Sequence, residues 1–446
     1  MKIELYYLYK HFHFTSFAYP VVLDVLKVWA ESIGWEARVL ICKGDKVNLS
    51  SDADVVGISV YTQTAPMAYR LSEKLRKKGK IVILGGPHFR GPTTYKEASS
   101  HCDVIVTSTN EEQWKNLLNK IAEGKILPTH QKTLYIVDEE KNFRYPDYFY
   151  ESFKNLKWYQ VPSVPTSIGC PYNCNFCSPY LQGDYILRDI NIIYNEVAHT
   201  KGKIMFLCDA TFGLNKKFTI KLMKSLAPLE KNIGVEMTLG RLKDRELLDA
   251  LSLGGVKWII VGIETPFMKL KKHGAVDLGD SLKRVINNVH ERGMFIQGNF
   301  ICGLDCDGPE SFDHIYQLSE NSDFDSIMID ILTPYPNTQL YDQLQRQGRI
   351  IDINWEHYDY NHVVYRPLRM TIDQLIDGYL RLYQSIWNSK SLLRDSLQLY
   401  INKRISIASA VVIANRLYYK LDVKRKEKKL RKNQEQIRFS HQKYIS

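Results

Sequence analysis

Three cysteines lie close together in the middle of the chain, Cys170, Cys174 and Cys177, within the sequence GCPYNCNFCS at 169–178. This C-x3-C-x2-C spacing lets three thiolates from one loop reach one inorganic centre, and iron–sulfur cubanes are usually held by four cysteines. A set of three leaves one iron without a protein ligand, and an open position is what a catalytic metal site requires. Structural zinc is the alternative, but it needs a fourth ligand, which Cys208 or a histidine would have to supply from elsewhere in the fold.

The cysteine usage as a whole indicates a reducing compartment. Eight cysteines in 446 residues are too few for a disulfide scaffold, and the grouping of three favours metal chemistry. The first residues contain no long apolar segment of the kind found in signal peptides. No run reaches the roughly 18 apolar residues of a membrane-spanning helix. We therefore expect a cytoplasmic protein.

Two series of alternating segments surround the cysteine motif, and the first comes before it. Apolar runs alternate with amphipathic segments, one of which has Pro66 at its start and Gly79 just past its end, as helices do. This alternation predicts a doubly wound parallel sheet of five strands over 1–130, covered by helices on both faces, and a connector over 131–162. The candidate strands are 3–9, 37–41, 54–60, 81–86 and 103–108.

The second series begins at the cysteine motif. Six strand–helix units predict an α/β fold with a partial (β/α)6 barrel over 163–350, followed by a helical C-terminal region with a basic tail over 351–446. In such barrels the chemistry lies at the carboxyl ends of the strands, and the cysteines directly follow the first strand. The candidate strands are 163–168, 203–208, 233–239, 257–263, 294–301 and 326–332.

A C-x3-C-x-aromatic-C loop after the first strand of a partial barrel resembles the radical S-adenosylmethionine (SAM) superfamily, with Phe176 as the aromatic residue. The resemblance implies a 4Fe–4S cluster on the three cysteines, with SAM on the open iron and Phe176 beside it. Reductive cleavage of SAM in that family yields a 5′-deoxyadenosyl radical, which removes a hydrogen atom from the substrate. The protein places the reactive carbon and excludes water. An external electron donor such as flavodoxin or ferredoxin is also implied.

The same resemblance suggests three further SAM-binding residues at the ends of barrel strands. Glu264 ends the fourth strand, where a carboxylate can accept hydrogen bonds from the ribose or the SAM ammonium group; an ion pair on the barrel rim is the alternative. Asp209 ends the second strand, where the family has a motif for the SAM amino group, although the usual glycine pair is absent here. Asn299 on the fifth strand is a polar candidate, or else a barrel-core amide.

The sequences TPYPNT at 333–338 and HVVYRP at 362–367 resemble the branch of the superfamily that has an N-terminal cobalamin-binding domain. The first domain agrees with a cobalamin-binding domain in two respects. Its paired glycines let a ligand approach the backbone, and ligands bind outside the strand ends in open α/β sheets. The D-x-H-x-x-G motif of a lower histidine ligand is missing, so cobalamin would bind without it, or the domain has lost cobalamin. The candidate cobalamin contacts are Ser59, Thr62, Gly85, Gly86 and His88. For His88, the alternative is a loop histidine that binds no ligand.

These motifs favour a radical SAM enzyme that functionalises an unactivated carbon of a small-molecule or natural-product substrate, by cobalamin-dependent methyl transfer. Alternatives are a radical SAM cyclase or rearrangement enzyme, and an RNA-modifying enzyme without cobalamin. Methylthiotransferases that modify tRNA generally have three further N-terminal cysteines, whereas only Cys42 and Cys102 precede this motif. A non-enzymatic iron–sulfur electron carrier or redox sensor would need neither an open iron nor a six-stranded barrel.

The formal net charge is +11, and much of the excess lies in a basic run at 424–432. Such a run can attract nucleic acid or an anionic membrane surface. Nucleic acid is not the expected partner, whereas peripheral membrane contact through the basic C-terminus is an open alternative. The simplest interpretation of the run is a solvated terminal helix.

Overall fold

The structure is a computed structural model that describes two parallel α/β sheets and a helical region. The described residues are 1–9, 20–44, 47–89, 91–107, 109–127, 135–137, 160–177, 184–267, 278–387, 420–433 and 435–436. Most of the predicted connector lies outside these ranges. None of the helices in the described ranges is both long and apolar enough to cross a membrane.

The N-terminal domain alternates strands and helices as predicted. Helix α2 has Pro66 in its first turn, and Asn110 begins α4 with a capping box in which its side chain accepts from the backbone N–H of Gln113. The strands are β1 (Lys2–Tyr9), β2 (Glu36–Lys43), β3 (Val55–Ser59), β4 (Ile81–Gly85), β5 (Val104–Val106) and β6 (Tyr135–Val137); the helices are α1 (Val21–Glu31), α2 (Ala65–Arg76), α3 (Pro92–Ala98) and α4 (Glu111–Ala122).

All six strands pair in parallel, in the order β2-β1-β3-β4-β5-β6. The sheet has one strand more than the five predicted, because β6 lies within the segment interpreted as a connector. Its three residues are too few to give a recognisable strand pattern. The strand order reverses between β1 and β3, and in doubly wound sheets ligands bind at such a switch point, outside the carboxyl ends.

The second domain also follows its predicted strand positions closely. Its strands are β7 (Ser163–Val164), β8 (Ser167–Ile168), β9 (Ile186–Leu187), β10 (Ile204–Phe212), β11 (Asn232–Met237), β12 (Val256–Glu264), β13 (Phe295–Cys302) and β14 (Ser326–Ile331). Its helices are α5 (Ile190–His199), α6 (Lys216–Leu226), α7 (Arg245–Leu253), α8 (Asp280–His290), α9 (Ser311–Asn321) and α10 (Gln339–Arg346). Helix α11 (Ile372–Ile386) begins the C-terminal region.

Six of these strands form one parallel sheet in the order β14-β13-β12-β11-β10-β7, and β8 and β9 form a small antiparallel pair. The sheet is open, with β7 and β14 at its edges, as expected for a partial (β/α)6 barrel. Strand residues alternate between two faces. On β12, Ile259, Val261 and Ile263 are fully buried in the core beneath the helices. The alternate residues Trp258, Ile260 and Gly262 lie on the interior face of the barrel.

The C-terminal region packs on the barrel through α11 and through a further helix at 420–433, here α12. Lys426 of α12 is buried, with 8% of its surface exposed. Lys429 donates to Asp359 at 2.6 Å, and the side-chain oxygen of Asn433 accepts from the backbone N–H of Val363 at 3.1 Å. The interpretation of the basic run as a solvated terminal helix is therefore wrong for the face of α12 that carries these residues. The partners lie far away in sequence, so local composition could not show them.

Candidate functional site

The cysteine loop begins directly after β8, the strand that forms a small antiparallel pair with β9. Gly169 has φ +80°, a backbone conformation that favours glycine, and it turns the chain into the loop. Cys170, Cys174 and Cys177 are half-buried and form no disulfides. The backbone N–H of Cys177 donates to the carbonyl of Cys174 at 3.0 Å, which folds the loop into a compact turn.

The three thiols lie in one loop, as the ligands of a cubane cluster would. Among the described residues, no three His, Cys, Asp or Glu side chains converge closely enough to hold a single metal ion. A cubane does not require that convergence, because each thiolate binds a different iron atom. Phe176 lies between the last two cysteines, is half-buried, and packs against the hydrophobic core.

Asp209 holds the start of the cysteine loop. Its carboxylate accepts from the backbone N–H groups of Thr166 and Ser167 at 2.6 and 3.0 Å, and from their hydroxyls at 2.5 and 2.8 Å. Burial raises the pKa of Asp209, while these hydrogen bonds act in the opposite direction. Four donors from the first barrel strand therefore occupy the carboxylate that was expected to bind SAM.

Glu264 lies at the carboxyl end of β12 and is buried, with 6% of its surface exposed. Its φ of +65° is unusual for a residue other than glycine, and the register with β13 shifts between Gly262 and Glu264. Such irregularities at a strand end redirect a side chain and are common beside functional sites. The next residue, Thr265, donates to Asp307 at 2.6 Å and anchors the loop that follows β13.

Asn299 lies on the interior face of β13, where its side-chain amide can donate hydrogen bonds to a ligand. Its side-chain oxygen accepts from Gln297 at 2.8 Å, and its own amide nitrogen has no partner among the described residues. The oxygen of the Gln297 amide is buried and also lacks a partner in the described part of the chain. The interior of the barrel thus offers an unused donor and an unused acceptor.

Several residues of the barrel rim were not identified from sequence as site residues. Asp330 lies near the carboxyl end of β14, and its carboxylate has no hydrogen-bond partner within the described ranges. Burial raises the pKa of Asp330 to about 6. Tyr335 and Tyr360 pack edge to face at the same rim, with ring centroids 5.5 Å apart. Asp330 could not be singled out from the sequence, because it belongs to an ordinary apolar strand pattern.

The first domain brings three of its five candidate residues to the carboxyl ends of β3 and β4. Ser59 pairs with Gly85 in the sheet, and both are half-buried, as is Gly86. Gly86 has φ +109°, and a Cβ there would lie 2.8 Å from the backbone nitrogen of Val60. The second glycine is therefore required by the close packing of the two strand ends.

The other two candidates, Thr62 and His88, form a buried contact. The two ring nitrogens of His88 lie 3.2 Å from the hydroxyls of Thr62 and Tyr69. Burial lowers the pKa of His88 to about 3, so the ring is neutral at physiological pH. The ring also lies edge to face with Trp355, with centroids 5.4 Å apart.

The carboxyl ends of the two sheets meet. Asn337, in the loop after β14, donates to the carbonyl of His88, in the loop after β4, at 3.4 Å. A Cβ on Gly91 would clash with the side-chain oxygen of Asn337, so the two loops are in close contact there. The start of α10 also contacts the cysteine loop, because the backbone N–H of Leu340 donates to the carbonyl of Asn175 at 3.0 Å.

Two tyrosines lie at these strand ends. Tyr61 follows β3 and is 37% exposed, and Tyr360 on the barrel is 42% exposed. Burial raises the pKa of Tyr61 and raises that of Tyr360 to about 12. Both hydroxyls are therefore protonated at physiological pH. Tyr61 could have been found from the sequence only through the switch-point rule.

Comparison with known proteins agrees with this arrangement. The model of the radical SAM superfamily matches residues 164–319. The chain is 27% identical to the bacteriochlorophyllide d C-8(2)-methyltransferase of Chlorobaculum tepidum, over 79% of this chain and 82% of that protein. It is 28% identical to the hopanoid C-2 methylase of Rhodopseudomonas palustris, over 60% of this chain and 53% of that protein.

The fold also matches a solved structure over most of the chain. This is the radical SAM methyltransferase TsrM from Kitasatospora setae with cobalamin and a 4Fe–4S cluster bound, with TM-score 0.60 and 17% identity over 77% of this chain and 78% of that chain. Residues 164–319, which contain the cysteine loop and most of the six-stranded partial barrel, are a radical SAM domain, and the chain is a radical SAM enzyme that uses a 4Fe–4S cluster and SAM.

Proposed function

We propose that this radical SAM enzyme is a cobalamin-dependent methyltransferase that acts on a carbon of a small molecule. The observation that carries the proposal is the contact between Asn337 and the loop of His88 and Gly91. It supports a single cleft between the cysteine loop and the strand ends of the first domain. The relatives support methyl transfer, since both curated relatives named above are methyltransferases.

The cluster site follows from the cysteine loop. When bound, the cluster and SAM supply reductive cleavage of SAM, and cobalamin supplies a carrier for the methyl group. Cys170, Cys174 and Cys177 hold the cluster, and Asp209 positions their loop through Thr166 and Ser167.

The SAM site follows from the strand ends. Glu264 and Asn299 face SAM, and Phe176 packs beside it. The unused amide nitrogen of Asn299 is suited to donate to a carboxylate or hydroxyl of SAM. Tyr335 and Tyr360 close the rim and limit the access of water.

In the first domain, the half-exposed strand ends at Ser59, Gly85 and Gly86 form one wall of the cobalamin site. We assign Thr62 and His88 to positioning the loop after β4 against the barrel, because their side chains are already engaged with each other and with Tyr69. Cobalamin would bind without a histidine ligand from this loop.

The partners follow from the chemistry. The substrate is a small molecule, and the electron comes from an external donor such as flavodoxin or ferredoxin. The outer face of α12, where Lys424, Lys428 and Lys432 are exposed, is a candidate for peripheral contact with an anionic membrane. Vesicle co-sedimentation that depends on anionic lipid would support this contact.

The proposal is tested by adding hydroxocobalamin to the anaerobically purified, cluster-reconstituted protein and recording the optical spectrum after desalting. We expect about one cobalamin per chain and, after an added low-potential reductant has converted the bound cobalamin to cob(I)alamin, transfer of the labelled methyl group from SAM to the cobalt with release of S-adenosylhomocysteine. A chain that retains the cluster but neither retains cobalamin nor transfers label to it would contradict methyl transfer and favour a cyclase or rearrangement enzyme.

A further inference from the structure

A carboxylate that accepts no hydrogen bond from the described residues lies at the rim of the barrel. Asp330 is the second-last residue of β14, and it alternates with the buried residues Ile329 and Ile331, so its side chain is on the interior face. It is half-buried, and no donor within the described ranges reaches its carboxylate. A carboxylate that is partly removed from water and has no donor is costly, so its position calls for a ligand.

Backbone contacts relate the end of β14 to the cysteine loop. The N–H of Ile331, the neighbour of Asp330, donates to the carbonyl of Tyr360 at 3.1 Å, and the N–H of Leu340, at the start of α10, donates to the carbonyl of Asn175 in the cysteine loop at 3.0 Å. In the sheet, Asp330 pairs with Ile301 of β13, the strand next to β12. Asp330 therefore lies at the rim of the barrel that faces the cysteine loop, which is the side from which SAM must reach the cluster.

A buried lysine is linked through one tyrosine to the strand that carries Asp330. Lys426 of α12 donates to the hydroxyl of Tyr379 at 2.7 Å, and its ammonium group lies 4.3 Å from the centroid of the Tyr383 ring. Tyr379 in turn donates to the backbone carbonyl of Ile329, the neighbour of Asp330, at 3.1 Å. Aromatic rings and one hydroxyl thus hold this cation at the edge strand that carries Asp330.

A second unsatisfied group points to a ligand in the same interior. Gln297 is 5% exposed, and its buried amide oxygen has no partner within the described ranges. Gln297 and Asn299 lie on the interior face of β13, the strand next to Asp330. Native proteins rarely leave buried polar groups unpaired, and a bound ligand or its waters would satisfy this one.

We infer that Asp330 faces the positively charged sulfonium of SAM, and that Lys426 is a positioning residue that holds the Asp330 carboxylate in place. A carboxylate in a partly water-excluded site attracts a cation more strongly than it would in water. The C-terminal helix α12 is then part of the SAM site. The inference rests on the radical SAM assignment and does not depend on cobalamin, so cobalamin retention and this inference fail separately.

The test compares two ligands that differ in the charge on sulfur. SAM carries a sulfonium, whereas S-adenosylhomocysteine has the same amino acid and adenosine groups and a neutral sulfur. Binding is measured by anaerobic calorimetry on the cluster-reconstituted full chain. We expect Asp330→Asn to weaken SAM binding about tenfold, which is about 1.4 kcal/mol, and to leave S-adenosylhomocysteine binding unchanged. Asp313→Asn, at an exposed position on α9, is the matched control and should change neither.

An equal loss for both ligands would overturn the inference, because Asp330 would then contact a group that the two ligands share. No loss for either would also overturn it.

The role of Lys426 is tested with Lys426→Met, which keeps the length of the side chain and removes its charge. Lys428→Met, at an exposed position on the same helix, is the control. We expect Lys426→Met to reduce the preference for SAM over S-adenosylhomocysteine, and the double variant with Asp330→Asn to behave like Asp330→Asn alone.

If the two substitutions weaken SAM binding independently in the double variant, Lys426 does not act through Asp330. If Lys426→Met weakens the binding of SAM and of S-adenosylhomocysteine equally, Lys426 has only a structural role. Either result would contradict the positioning role. If Lys426→Met does not fold, as judged by iron content and melting temperature, the Asp330→Asn comparison still decides whether the carboxylate faces the sulfonium.

Discussion

At the scale of single residues, the structure separates polar groups that are already engaged from those that can bind a ligand. Asp209 and His88 looked like ligand-binding residues in the sequence, yet four donors surround the first and two hydroxyls surround the second. Asp330 was not distinguishable in the sequence, yet its carboxylate accepts no hydrogen bond in the described part of the chain. The sequence gives the residue type, but the partners that use up its hydrogen-bonding capacity come from distant segments. The cysteines could be predicted because their spacing is local.

Replacing Asp209 with Asn tests its positioning role. The amide oxygen can still accept from the backbone N–H groups of Thr166 and Ser167, but the negative charge is lost, and the NH2 group forces both hydroxyls to turn from donors into acceptors. Loss of buried hydrogen bonds to a charged group lowers the free energy of unfolding by about 2–3 kcal/mol. We expect a lower melting temperature and reduced iron retention after reconstitution. An unchanged iron content with weaker SAM binding would instead indicate a SAM ligand.

The pH dependence of stability tests the neutral state of His88. An unfolded histidine takes up a proton near pH 6.5, whereas burial holds the pKa of His88 at about 3. Between these values the unfolded state binds more protons, so stability falls as the pH is lowered, by about 2 kcal/mol at pH 5. His88→Gln should remove this part of the acid sensitivity in chemical unfolding at pH 7 and pH 5. Identical acid sensitivity in both proteins would contradict it.

At the scale of elements, patterns that repeat along the chain were predictable and contacts between distant elements were not. The candidate strands 257–263 and 326–332 correspond to β12 at Val256–Glu264 and β14 at Ser326–Ile331. Continuous apolar runs between helices identify such strands. The short strand β6 had no pattern of its own, and its pairing with β5 is visible only in the folded sheet. The docking of α12 depends on acceptors and aromatic rings that lie outside its own sequence.

The attachment of α12 is tested at Asp359. Burial opposes ionisation, but the hydrogen bond from His362 and the charge of Lys429 hold the pKa of Asp359 below its ordinary value. Asp359→Asn should weaken this attachment by about 1–3 kcal/mol and increase amide hydrogen exchange in α12. The control is Asp377→Asn, which breaks an exposed ion pair with Arg431 on the same helix and should have little effect. Equal exchange in the two variants would contradict the importance of Asp359.

At the scale of the whole molecule, the function depends on how the two domains meet. Each fold could be predicted from its own alternation of strands and helices. Their relative placement could not, because it rests on a few contacts such as that of Asn337 with the loop of His88 and Gly91. The sequence TPYPNT suggested a family branch but not its place between the cysteine loop and the first domain.

The domain contact is tested by adding and then removing bulk. Gly91→Ala would bring a Cβ against the Asn337 side chain, and its backbone at φ −170° tolerates alanine. We expect it to lower cobalamin retention several-fold and to leave the iron content unchanged. Asn337→Gly in the same chain should restore retention, because it removes the clashing atoms at a φ of +68° that glycine adopts freely. Failure of this rescue would mean that Gly91 acts through something other than Asn337.

The most direct measurement is electron paramagnetic resonance of the anaerobically reconstituted, reduced protein with and without SAM. The account predicts a 4Fe–4S signal that SAM changes by binding the open iron, and loss of both the signal and 5′-deoxyadenosine formation when Cys170, Cys174 and Cys177 are replaced by alanine. A triple-alanine protein that kept its iron and still cleaved SAM would contradict it.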